Sequence, residues 1–150
     1  GLALAAHHRG FTVEVYVNDE SALFVDSVRS AEKKQVICLV QEDFNAEMKQ
    51  LAVPLHYRRI SVDEMQAEFM QGAIPMVLIS SYRIYQEKFP HWVVVTGFDE
   101  RFIYVHDSYV DYEKGKTVTD CVNMPIPRKA FAGMARYGKS GQRAVLIIRK

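Results

Sequence analysis

Pro90-His91-Trp92-Val93-Val94-Val95-Thr96-Gly97-Phe98-Asp99, followed by Glu100-Arg101-Phe102-Ile103-Tyr104-Val105-His106-Asp107-Ser108, is the stretch on which the reading of this chain turns. Two apolar runs of strand character flank a polar Asp99-Glu100-Arg101 break, the pattern of an antiparallel hairpin. Side chains alternate between the faces of a sheet, so the loop length decides which residues share a face. A three-residue loop, with Phe98 opposite Phe102, places His91, Val93, Val95, Ile103, Val105 and Asp107 on one face. A two-residue loop would send His91 and Asp107 to opposite faces. The three-residue loop also sets His91 diagonal to Asp107, and diagonal neighbours stand about 7 Å apart, within reach of an imidazole and a carboxylate. That pair is a candidate base and its orienting group. By spacing alone the commoner reading is plainer: solvated edge residues or a structural hydrogen bond at the end of a hairpin.

Outward from the hairpin, Ile74 to Ser80 is a continuous apolar run and reads as a buried strand. Ser61-Val62-Asp63-Glu64 has the Ser-x-x-Glu form of a capping box, and it predicts a helix ending near Gly72. From Ala31 to Leu51, Val36, Ile37, Val40, Phe44, Met48 and Leu51 recur at spacings of three and four, predicting a helix with one apolar face. Leu2 to His8 reads as an Ala-rich helix stopped by Gly10, and Phe11 to Val17 alternates as a half-buried strand. Phe24 to Val28 suggests a short helical turn. Val53 to Ile60 is expected to be a strand entered through Pro54, Pro127 to Tyr137 a helix stopped by Gly138, and Arg143 to Ile148 a last strand. This order favours α+β with a largely antiparallel sheet.

Composition narrows the function classes. At 150 residues and 49% hydrophobic content the chain suits one domain, 1–150, with a core of its own. Nineteen Lys and Arg against eighteen Asp and Glu, with no basic segment interleaved with aromatics, give no support to a nucleic-acid partner. No apolar run approaches the roughly 20 residues of a membrane-spanning helix. Two cysteines without CxxC spacing fit a reducing compartment, so a cytoplasmic setting is expected.

Other chemistry-bearing residues fare less well than the hairpin pair. Cys38 lies between Ile37 and Leu39 inside the long helix and reads as a packed core thiol. Cys121 follows the histidine and aspartate in the chain. Ser80 and Ser81 end a strand, but no GxSxG elbow surrounds them. His7 and His8 point about 100° apart on a helix and cannot form an HxxxH metal pair, while His56 and His106 have no ligand partners at metal spacing. Ser81, Tyr82 and Trp92, which flank the pair, are candidate substrate contacts. Asp111-Tyr112-Glu113 reads as a solvated loop.

The block PHWVVVTGFDERFIYVHDS, with IPMVLISSYRI before it, resembles the His and Asp motifs of papain-like cysteine peptidases, specifically the double-glycine leader peptidases and their stand-alone relatives. GLALAAHHRGFTVEVYV is similar to the second helix and following strand of these relatives. The resemblance is strong over 74–108 and loose over 18–72. It implies a papain-like fold, His91 as general base, Asp107 as its orienting residue, a peptide or protein substrate, and no metal or organic cofactor. It also implies a Gln and a Cys-Gly-Pro turn opening a first helix, where the helix N-terminus lowers the thiol pKa. No Cys-Gly-Pro occurs here. The expectation is a domain truncated at its N-terminus, inactive as it stands, whose uncovered surface is a candidate dimer contact. The alternative is a non-catalytic peptide-binding or regulatory domain of the same fold.

Overall fold

The structure, a computed structural model, describes residues 1–86 and 89–150. Its elements run α1 (Leu2–His7), β1 (Thr12–Val17), α2 (Ala31–Gln50), β2 (Leu55–Tyr57), α3 (Val62–Met70), β3 (Ile74–Ser80), α4 (Tyr82–Tyr85), β4 (Pro90–Phe98), β5 (Phe102–Asp107), β6 (Met124–Pro127), α5 (Arg128–Met134) and β7 (Ala144–Arg149). The strands form one sheet in the order β2-β1-β7-β3-β4-β5-β6, in which β1 and β2 are parallel and every other pair is antiparallel. The fold is therefore α+β around a mainly antiparallel sheet.

Helices cover both faces. Val77, Ile79, Val93, Val95, Ile103, Val105 and Ile147, all fully buried, pack with Met65 of α3 and Phe131 of α5. Each such side chain contributes about 1.5–3 kcal/mol through the apolar surface it withdraws from water. On the opposite face Val13, Val15 and Leu146 pack with Ala3 and Leu4 of α1 and Met48 of α2. Helix α3 starts where its sequence requires. Ser61 Oγ accepts from the Glu64 N–H at 3.1 Å, and the Glu64 carboxylate accepts from the Ser61 N–H at 2.7 Å.

Four sequence expectations need correction. The strand expected over 53–60 is only Leu55–Tyr57, an edge strand, and it is preceded by Pro54, which has no N–H to give to a ladder. The helix expected from Pro127 starts at Arg128, because Pro125 and Pro127 belong to β6, the other edge strand, where missing N–H groups are tolerated. Helix α4 escaped notice because it is a single turn. Helix α2 forms over the expected span, with Ser30 as its cap, but only the Phe44, Met48 and Leu51 end of its apolar face packs on the sheet. Val36 and Val40, both exposed, instead line a cavity of about 420 Å³ together with Trp92, Leu146 and Phe24.

The β4–β5 hairpin reaches the expected pairing by an unexpected route. The Asp99 N–H donates to the Phe102 carbonyl at 3.0 Å, so the chain reverses through the two residues Glu100 and Arg101. Asp99 Oδ1 holds that turn by accepting from the N–H groups of Arg101 and Phe102, each at 2.7 Å. Phe98 consequently faces Ile103 and not Phe102. A bulge at Thr96, between the Val95–Val105 and Gly97–Tyr104 pairs, then sets two β4 residues against one on β5 and restores the parity. Beyond it Val93 stands opposite Asp107, as the three-residue loop required.

Candidate active site

His91 is the second residue of β4 and Asp107 the last of β5, on the sheet face that carries α3 and α5. Val93 opposite Asp107 makes His91 the diagonal neighbour, and His91 Nε2 lies 2.5 Å from Asp107 Oδ1. The imidazole is 17% exposed and the carboxylate fully buried. Solvent thus reaches the ring while the carboxylate beneath it is dry.

Asp107 is the hub of the site. Oδ1 also accepts from the Tyr109 N–H at 2.8 Å. Oδ2 accepts from the Tyr85 hydroxyl and from Lys116 Nζ, the latter at 3.1 Å. Four donors fill the acceptor capacity of a carboxylate. Burial by itself would raise the pKa of Asp107, but the bonds from His91, Tyr85, Tyr109 and Lys116 outweigh it and hold the group well below the usual carboxylate range. An ionised carboxylate only accepts, so Nε2 of His91 carries the hydrogen and Nδ1 is the nitrogen left for other chemistry.

Tyr85 is supplied by α4, which turns directly out of β3. Its hydroxyl donates to Asp107 and accepts from Lys116. Burial first, and the adjacent Asp107 carboxylate second, push its pKa far above that of an ordinary tyrosine. Lys116, 14% exposed, also donates to the Tyr109 carbonyl at 2.6 Å and lies 4.3 Å from the centre of the Tyr85 ring. The rings of Tyr85, His91 and Tyr109 meet edge to face, at 5.2–6.4 Å between centres. Segment 109–121 is thereby folded over the buried side of the carboxylate.

The sequence-derived site residues part company here. His91 and Asp107 are brought together. Ser81 is buried, and its hydroxyl donates to the Phe89 carbonyl at 3.2 Å and accepts the Phe89 N–H at 3.3 Å, which ties the start of α4 to the residue before β4. Tyr82 is exposed at the start of α4. Trp92 points away from His91, because it is one residue along an alternating strand, and packs near Leu78 and Ala144 on the α1–α2 face. Tyr85, Tyr109 and Lys116 had not been assigned to the site. Tyr109 could have been suspected from its place two residues after Asp107, whereas nothing local marks Lys116.

Cys38 is half-buried on α2 and is not the packed core thiol expected, because that stretch of the helix is not covered by the sheet; Cys121, His56 and His106 have structural partners. Cys121 is buried with Sγ within donating distance of the Thr117 and Tyr109 carbonyls, at 3.2 and 3.4 Å. A buried sulfur engaged with two carbonyls of its own segment is not presented to a substrate. His56 Nε2 pairs with Glu14 at 3.1 Å and stacks on Tyr16, and His106 Nδ1 accepts the Asn123 N–H at 3.0 Å. Among the described residues no group of three His, Cys, Asp or Glu side chains could hold a metal ion, and no helix is long and apolar enough to cross a membrane.

No curated protein and no solved structure matches the chain. A family model does, over residues 1–149, nearly the whole sequence and including the hairpin that carries His91 and Asp107. The chain belongs to the Peptidase_C39 like family.

Proposed function

We propose that this chain is the base-bearing part of a papain-like cysteine peptidase, in which His91 exchanges the proton and Asp107 orients the ring. The observation that carries the reading is the 2.5 Å contact between His91 Nε2 and a fully buried, ionised Asp107. With Nε2 so held, Nδ1 takes the proton of a cysteine thiol supplied by a segment outside these 150 residues. The thiolate attacks the peptide carbonyl, the imidazolium returns the proton to the departing amine, and water then releases the acyl group with Nδ1 as base. Asp107 acts by fixing the tautomer and stabilising the imidazolium. The 150 residues alone are inactive in this reading, because a base without a nucleophile leaves only residual effects.

The test is turnover of a peptide and labelling by a thiol-directed probe in a full-length protein that carries the cysteine. His91→Ala is expected to lower kcat/KM at least a thousandfold and to slow labelling. Asp107→Asn is expected to lower kcat/KM by up to about 10⁴-fold, the order seen when an orienting carboxylate is lost. Unchanged turnover and labelling in both variants would overturn the proposal.

A second reading, a peptide-binding domain of the same fold without turnover, is favoured by one feature. Lys116 already supplies a positive charge to Asp107, so part of the carboxylate's field is spent away from His91. Binding of a substrate peptide that survives His91→Ala, with no cleavage by the unsubstituted protein, would favour it.

A further inference from the structure

Arg143, the residue before β7, is built into the fold without a counter-charge. Its NH1 donates to the carbonyls of Ala132 and Ala135 at 3.2 and 2.9 Å, capping the end of α5. Carbonyls satisfy donors but do not neutralise a cation. Its Nε is buried and, among the described residues, has no hydrogen-bond partner. Burial first, then the charges of Arg59 and Arg136, lower the pKa of the guanidinium.

A cavity of about 320 Å³ opens beside this group, and Arg58, Arg59, Arg143, Asn18, Ser61 and Glu64 contribute its polar lining. Glu64 is the one carboxylate among them and is already engaged by Arg58 at 2.8 Å and by the Ser61 N–H at 2.7 Å. The side chain of Arg59 has no hydrogen bond or ion pair among the described residues. Arg58 is matched by Glu64 and Arg59 is exposed, so the cost of an unmatched charge falls on the partly buried Arg143 unless something anionic meets it. Guanidinium groups suit oxyanions in particular, since their planar N–H fork matches two oxygens at once.

We propose that this cavity is a binding site for an oxyanion group, a carboxylate or a phosphate, gripped by Arg59 and Arg143. The site stands apart from the chemistry at His91, but its place relative to that residue is informative. Val145, Met65 and Phe131 line the cavity and belong to the same core as Val93 and Val105, so it opens on the sheet face that carries Asp107. Val77 pairs with Val145 and Ile79 with His91, which sets β7 and β4 on either side of β3 with Arg143 and His91 toward the same end of the sheet. Two strand spacings separate those strands by roughly 10 Å.

The experiment titrates the protein with inorganic phosphate and, separately, with glutarate, each against chloride at equal ionic strength. The readouts are Tm and the NMR signal of the Arg143 Nε–H. A saturable rise in Tm with a saturable shift of that signal is expected, weakened at least tenfold in Arg59→Gln and unchanged in Arg101→Gln, on the β4–β5 turn. Arg59 is exposed and its side chain holds nothing in place, so Arg59→Gln should fold normally. A response to phosphate alone assigns a phosphate-bearing ligand, and a response to glutarate alone a carboxylate. No saturable response to either anion, or a response undiminished in Arg59→Gln, overturns the proposal.

Discussion

Val93 on β4 stands directly opposite Asp107 on β5, and this register carries the preceding inward-facing residue of β4, His91, onto the carboxylate. Both strands present the face that packs on α3 and α5, so the pair sits at the rim of the main core with Val93, Val95, Ile103 and Val105 fully buried behind it. The site takes its rigidity from that core. A slip of one residue would expose the apolar set as well as separating the pair.

Asp107 should control the acid limb of stability. Its folded pKa lies below its unfolded value of about 3.9, so the unfolded state binds more protons in that range. The stability it contributes is present above pH 4 and is lost as pH falls toward the folded value. Asp107→Asn should lower Tm at pH 7 and flatten the dependence of Tm on pH below 4. Parallel acid limbs in the two proteins would contradict this.

Tyr85 should ionise only at a pH far above that of an ordinary tyrosine, because the anion would face Asp107 in a buried setting. Its hydrogen bond is present below pH 10 and is lost as the pH rises toward the folded value. Spectrophotometric titration should show one tyrosine fewer resisting ionisation in Tyr85→Phe. That variant should lose about 1.5–3 kcal/mol at neutral pH, the range for a hydrogen bond to a charged group.

Lys116 is expected to act as the clasp of segment 109–121. Lys116→Met removes one of the four donors to Asp107 and the bond to the Tyr109 carbonyl. A loss of about 1–3 kcal/mol is expected, since three donors to the carboxylate remain. Proteolysis and amide exchange should rise within 109–121 more than elsewhere; an even rise along the chain would argue against a local clasp.

The two thiols should differ in reactivity. Cys38 is half-buried on α2 and Cys121 is buried under segment 109–121, so an alkylating reagent should modify Cys38 first. Lys116→Met should speed the labelling of Cys121 and leave Cys38 unchanged. Cys121→Ser should leave peptide turnover of the full-length protein intact, and its loss would make Cys121 the nucleophile.

The capping box at Ser61, the spacing along α2 and the alternation through β4 and β5 were legible in the sequence because each rests on contacts within a few residues. His91 and Asp107 were legible for the same reason, being two ends of one hairpin. The length of its turn was not. A two-residue turn plus a bulge at Thr96 gives the same parity as the three-residue loop inferred from the pattern, and side-chain alternation alone does not distinguish them. The proline-bearing edge strand β6 and the one-turn α4 were missed because their local signals are weak and neighbours in the fold sustain them.

Local sequence determined the hairpin, its apolar face and the pair at its end, since period and turn chemistry are properties of adjacent residues. Tertiary structure alone decided the rest of the site. Tyr85 comes from α4 and Lys116 from a loop beyond β5, 22 and 9 positions from Asp107 in the chain. Trp92, beside His91 in sequence, faces the other side of the sheet. A buried carboxylate collects donors by proximity in space, and no local pattern encodes which distant residues will supply them.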